Sequence, residues 1–167
     1  MYLKRNNNLE IISLYRADYK KQFYLREIAK LTKIPLKTTQ NILIKFEKEG
    51  ILKSKVEGKN KYFRLNLDNI QVKFHLLSAE IHKTCIFLEK YPTFKTFLKY
   101  LKTNSLIIVF GSFAKFSIKK DSDLDLFIIS NKEQEFSFHL LPYKIHKIVL
   151  SEKSFRKAII AQETLIK

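Results

Sequence analysis

The stretch from Leu106 to Ile129 constrains this chain more than any other. It reads LIIVF, then Gly111-Ser112, then ten residues, then Asp123-Leu124-Asp125-Leu126 running into Phe127-Ile128-Ile129. Each apolar run has the length and bounding residues of a buried strand. Side chains alternate along a strand, so carboxylates two residues apart project from one face. Like charges that close repel, and a cation between them removes the conflict. Mg2+ suits the position, being a hard ion that takes carboxylate and phosphate oxygens. The Gly-Ser pair supplies the complement. Gly111 permits close backbone approach, and freed amides with the Ser112 hydroxyl suit phosphate oxygens. Lys115, with Lys119 and Lys120, adds positive charge. A phosphate cradle beside metal-holding carboxylates implies nucleoside triphosphate chemistry, with ATP or another NTP as the ligand.

The 167 residues allow one domain or two small ones, and 46% apolar content is enough to build a core. The single cysteine, Cys85, excludes an intramolecular disulfide and a cysteine-based zinc finger. The polar start MYLKRNNN has no apolar stretch behind it, and runs such as LIIVF are too short to span a bilayer. A cytoplasmic protein without a membrane partner is expected. The net charge of +16 favours polyanions. It is spread along the chain: residues 1–70 hold 16 Lys and Arg against 7 Asp and Glu, and residues 71–167 hold 16 against 9.

The first part has its own pattern. Apolar spacing predicts helices over 9–17 and 25–32. Pro35 predicts a turn and then a third helix, PLKTTQNILIKFEKEG, with Gly50 at its C-terminal cap. Thr39, Leu43 and Phe46 form its inner side, and Lys37, Thr38, Gln40, Asn41 and Lys45 lie on the other. Those five suit base edges and phosphates. ILKSKV and KYFRLN flank Glu57-Gly58-Lys59-Asn60, a hairpin signal, and the hairpin carries Lys53, Lys55, Lys59, Lys61 and Arg64. Residues 5–67 resemble the winged helix-turn-helix of prokaryotic transcription regulators. The phrase LREIAKLTKIPLKTTQNILIKFEKEGILKS carries the likeness. The resemblance implies double-stranded DNA as partner, with the third helix in the major groove and the hairpin on the backbone or minor groove.

Residues 71–90 show a helical stripe of Phe74, Leu77, Ile81, Cys85 and Leu88, widened by Leu76, Ala79 and Ile86. The stripe suits packing on the second domain or a self-association face, since palindromic DNA sites favour homodimers. His75 and His82 read as ordinary polar positions. Pro92 opens a further helix to about residue 102, with Phe94, Phe97, Leu98 and Leu101 inward. Ser151 reads as the cap of a last helix, with Phe155, Ala158, Ile159 and Leu165 for packing.

From about residue 95 onward the chain resembles the minimal nucleotidyltransferases of the DNA polymerase beta superfamily. GSFAK and DSDLDL carry the likeness. It implies that Gly111, Ser112 and Lys115 bind the triphosphate and that Asp123 and Asp125 hold Mg2+ and serve catalysis. It also implies transfer of a nucleoside monophosphate to an acceptor, which in antitoxin-type members is a protein partner. The family pattern has a third carboxylate on a later strand. Here that position aligns with His146, and no Asp or Glu occurs from Phe136 through Ser151. Glu133 and Glu135 precede that strand in a loop.

The sequence thus predicts an α+β chain: a winged helix-turn-helix over 1–68, a linker or dimerisation helix over 69–92, and a nucleotidyltransferase-like mixed sheet with helices on one side over 93–167. It leaves two functions open. One is a DNA-binding regulator whose transferase fold binds nucleotide or is vestigial. The other is an active nucleotidyltransferase acting on a protein or nucleic-acid acceptor.

Overall fold

The computed structural model describes residues 6–101, 105–131 and 136–161. The chain divides into two compact units, Met1–Ile86 and Phe87–Lys167. No helix among the described residues is long and apolar enough to cross a membrane.

The first unit opens with α1 (Asn7–Ser13), capped by Asn6, whose side-chain oxygen accepts from the N–H groups of Asn8 and Leu9. This helix is shorter than its apolar spacing predicts. The chain leaves it at Leu14, and Tyr15 is fully buried with its hydroxyl donating to the Phe63 carbonyl at 3.1 Å. β1 (Phe23–Tyr24) and α2 (Leu25–Thr32) follow. Two residues are too few to show a period, so β1 was invisible to periodicity. Lys33 turns left-handed at φ 54°, Pro35 caps α3 (Leu36–Lys48), and Gly50 at φ 68° ends the helical path.

The hairpin is β2 (Leu52–Glu57) and β3 (Asn60–Leu65), antiparallel from Leu52 opposite Leu65 to Glu57 opposite Asn60. β1 joins on the far side of β3, which sets the sheet order β1-β3-β2. Ile11, Ile12, Ile28, Leu43, Phe46, Ile51 and Phe63 form the core under this sheet.

α4 (Gln71–Lys90) corrects the expected orientation of the apolar rows. Val72 and Ala79 enter the first unit's core, with Leu76 packed against it. Of the expected packing stripe, Phe74, Leu77 and Ile81 lie exposed, Cys85 is half-buried, and Leu88 packs against the second unit's core as expected. The helix carries apolar side chains on two opposite sides, and one core reaches only one of them. Polar ties hold that choice: Lys83 and His82 meet Glu10 at 2.8 and 3.3 Å, and Arg16 meets Glu80 at 2.5 Å. Burial works against the charge of Glu10, but the Lys83 ammonium, assisted by His82, holds its carboxyl below the ordinary value.

The second unit contains α5 (Pro92–Tyr100), β4 (Leu106–Phe110), α6 (Gly111–Ala114), β5 (Leu124–Ile129), a 3-10 turn at Phe138–Leu140, β6 (Ile145–Leu150) and α7 (Glu152–Ile160). Phe94 and Phe97 of α5 are buried, while Leu98, expected inward, is exposed. Ser151 caps α7 by accepting from the Ser154 N–H at 3.1 Å. Ala158 is buried and Ile159 exposed, and Leu165 lies outside the described residues.

The sheet order is β4-β5-β6, with β4 antiparallel and β6 parallel to β5. One face, with Leu124, Leu126 and Ile128, packs against Phe94, Phe97 and Phe113. Phe127 points to the other face and meets Phe155 of α7 at 5.6 Å. Helices therefore flank both faces, which corrects the expectation of helices on one side. The reason lies in β5: Leu124 and Leu126 through Ile129 are all buried, and a central strand apolar on both faces needs cover on both.

Candidate functional site

The Gly111-Ser112 pair is the first turn of α6 rather than a free turn. β4 delivers it there, because Phe110 pairs with Asp125 across the antiparallel ladder. Gly111 sits at φ 67°, and a Cβ added to it would overlap the Asp125 carboxylate. Only glycine meets both conditions, since L side chains rarely adopt that backbone and this one would collide. The sequence thus brings the glycine and the second aspartate into direct apposition. Lys115 caps α6, and Phe116 follows with a left-handed φ of 56°.

Asp123 lies just before β5 and Asp125 is its second residue. The parallel register sets Asp125 beside His146, and His146 Nδ1 lies 3.1 Å from Asp125 Oδ1. Lys144 Nζ lies 3.4 Å from Asp123 Oδ2, and the Lys144 carbonyl accepts the Leu124 N–H at 2.8 Å. Each carboxylate therefore faces a basic side chain presented by β6 or the residue just before it. Asp125 is partly enclosed at 26% side-chain exposure, while His146 stands at 63%. Sequence reasoning named both aspartates and His146 but did not see Lys144 as the partner of Asp123. A signal existed: Lys144 precedes His146 by the same two residues that separate Asp123 from Asp125.

Among the described residues, no three of His, Cys, Asp and Glu gather as a metal cluster. Glu133 and Glu135 lie outside the described residues. The donor set at the mouth of β5 is two carboxylates, with an imidazole against one and an ammonium against the other. Imidazole is a poor ligand for Mg2+, and an ammonium competes for the same carboxylate oxygens. The residues present do not fit the metal pair of a two-ion transferase.

The first unit presents a second candidate surface. Thr39, Leu43 and Phe46 of α3 are buried, which turns Lys37, Gln40, Asn41 and Lys45 outward, with Thr38 half-buried beside them. Ile44 and Lys48 share that outward side and were missed. The helical spacing from Lys37 through Asn41 and Ile44 to Lys48 is the signal that includes them.

On the hairpin the basic residues divide. Lys53, Lys55 and Arg64 alternate onto one face, with Lys53 paired to Asp68 at 2.5 Å and Lys55 to Glu57 at 3.1 Å. Lys61 lies on the opposite face and reaches Glu47 of α3 at 2.7 Å, and Ser54 donates to the same carboxylate. Those contacts, the Lys61 hydrogen bond first, hold the Glu47 carboxyl below its ordinary value. Lys61 therefore ties the hairpin to α3. Lys37, Lys59 and Arg64 make no ion pair among the described residues.

Residues 92–166 match the family model of the nucleotidyltransferase domain. The C-terminal unit thus has a nucleotidyltransferase-like fold, an open mixed sheet flanked by helices. Two solved structures are similar at low identity. AF1382 from Archaeoglobus fulgidus aligns at 24% identity with a TM-score of 0.39, over 52% of this chain and 91% of that one. TrmBL2, an archaeal chromatin protein described as showing a novel mode of DNA binding, aligns at 14% identity with a TM-score of 0.33, over 93% of this chain and 66% of that one. No curated protein matches the chain.

Proposed function

We propose that this chain is a DNA-binding protein of the winged helix-turn-helix type, with α3 entering the major groove and the β2–β3 hairpin acting as the wing. In this reading the C-terminal unit keeps a nucleotidyltransferase fold as a nucleotide-binding module that does not transfer. The observation that carries the DNA reading is the outward side of α3: Lys37, Gln40, Asn41, Lys45 and Lys48 stand free of the core beside a basic hairpin. Lysines there contact phosphates, and Gln40 and Asn41 have the paired donor and acceptor that reads an adenine edge. The loss of transfer rests on Lys144 and His146, which answer the carboxylates from within the chain. Gly111, Ser112 and Lys115 remain to hold the phosphates of ATP or another NTP.

DNA affinity is expected to fall steeply with salt, because bound lysines release counterions. Lys59→Glu should weaken binding and lower the salt slope by about one or more. Lys61→Glu should act mainly through the lost Glu47 tie, with little change in slope. Affinity indifferent to salt and to Lys59→Glu defeats the DNA reading.

A second reading, active nucleotidyl transfer, is favoured by the close fit of Gly111 against Asp125. It predicts label moving from α-phosphate-labelled ATP to a protein or RNA acceptor and vanishing with Asp123→Asn. The reading adopted here predicts no label from the native chain, with nucleotide binding weakened by Lys115→Glu.

A further inference from the structure

Resting on the reading of α3 as the helix that meets DNA, we infer that this helix selects A·T base pairs, with Leu36 and Ile44 against thymine methyl groups and Gln40 and Asn41 on adenine edges. Leu36, Gln40 and Ile44 follow one another at intervals of four, so they form one ridge along the helix. Asn41 lies beside it. All four are exposed, whereas Thr39, Leu43 and Phe46 are buried. Leu36 is 47% and Ile44 54% exposed, and neither belongs to the first unit's core. Ile44 also gains nothing from helix propensity there, since Lys, Gln or Glu would serve α3 better. A branched apolar side chain between Gln40, Asn41 and Lys48 has a use once an apolar group on the DNA covers it.

The chemistry of the major groove supplies that group. Among the bases only thymine carries a methyl there, and only adenine sets an N6 donor beside its N7 acceptor. An amide side chain has one donor and one acceptor side at its tip and pairs with that adenine edge through two hydrogen bonds. Thymine is the partner of adenine, so each A·T pair presents both features. A ridge that alternates apolar, amide and apolar matches a run of such pairs. The cations on α3 do not compete for this role. The helix carries no arginine, the commonest reader of guanine. Lys37 and Lys48 stand near its two ends, where the phosphate strands pass, and Lys45 is turned to Glu49 at 3.8 Å.

The probe is a pool of duplexes of about 20 base pairs, randomised over about ten central positions. Duplexes retained by the full native chain should favour A·T over G·C at adjacent positions by about tenfold or more. A narrow minor groove also favours A·T tracts, so a second step isolates the major groove. The retained duplex is remade with uracil for thymine, which removes the methyl and leaves the minor-groove edge intact. Native affinity should fall about fourfold for each contacted methyl. The Leu36→Ala, Ile44→Ala double variant should bind the thymine and uracil forms alike, and Gln40→Ala should relax the choice of base at one position. Lys59→Glu, a phosphate contact, should weaken both forms equally. These positions are exposed, and unchanged thermal melts would show the fold intact. Salt-sensitive binding to G·C-rich sequences, or affinity indifferent to uracil, overturns the inference and leaves the DNA reading standing. So does a double variant that still discriminates in full. No duplex binding at all overturns both.

Discussion

The two units put their charged side chains to different uses. In the first, acids are placed against bases that hold elements together: Glu10 with Lys83 and His82, Glu80 with Arg16, Glu47 with Lys61. Each pair joins segments distant in sequence and leaves the outer side of α3 basic. In the second unit two carboxylates are concentrated at the start of one strand, against a glycine and two basic side chains from the neighbouring segment. The cores differ in the same sense. Aliphatic side chains dominate the first, whereas Phe87, Tyr91, Phe94, Phe97 and Phe113 dominate the second. Dispersed pairs act as ties, and a concentrated cluster of like charge has the form of a ligand site, here with an ammonium against one carboxylate and an imidazole against the other.

The largest effect should come from the aromatic core. Phe113 is fully buried, meeting Tyr91 at 5.5 Å and Tyr143 at 4.8 Å. Phe113→Ala should cost about 3–5 kcal/mol. Limited proteolysis should then cut within residues 87–161 while the Tyr15 and Phe46 core stays protected. Loss of protection in both units together would break the comparison, making them one cooperative body.

Gly111→Ala should come next, at about 2–3 kcal/mol from the positive φ and the overlap with Asp125. Adding Asp125→Ser should recover part of that loss, because it removes the colliding carboxylate but not the backbone strain. Thermal melts of the single and double variants measure this. No recovery would mean that backbone conformation alone requires the glycine.

The smallest of the three concerns Glu10. Its carboxyl is lowered in the folded state, so its stabilisation is present above the ordinary carboxylate value and is lost as pH falls through the lowered one. Glu10→Gln should cost about 1–2 kcal/mol near neutral pH and progressively less on acidification below about pH 4. Urea melts across that range check the sign. A cost that does not shrink with acid would show that Glu10 acts through packing rather than charge.

Much of the architecture was legible in the chain. α2, α3 and the hairpin announce themselves through period, Pro35, Gly50 and Glu57-Gly58-Lys59-Asn60, all of them local signals. LIIVF, Gly-Ser and Asp-Leu-Asp likewise mark two strands and the turn that Gly111 must make. What stayed hidden depends on partners far along the chain. Periodicity shows that α4 has two apolar rows, but which row is buried depends on Glu10 and Arg16, more than sixty residues earlier. The same limit hid the assignment of α7 to the second face of the sheet, which Phe127 and Phe155 settle by contact.

The sequence by itself determined α2, α3, the hairpin, the strands β4 and β5, and the excess of positive charge, because these follow from residue type and short-range geometry. Only the tertiary structure decided that Lys144 and His146 answer the two aspartates, that Lys61 binds Glu47 within the fold, and that Phe74, Leu77 and Ile81 face outward. Those outcomes depend on strand register and helix rotation. Both are set by which distant surfaces meet, and no window of neighbouring residues contains that information.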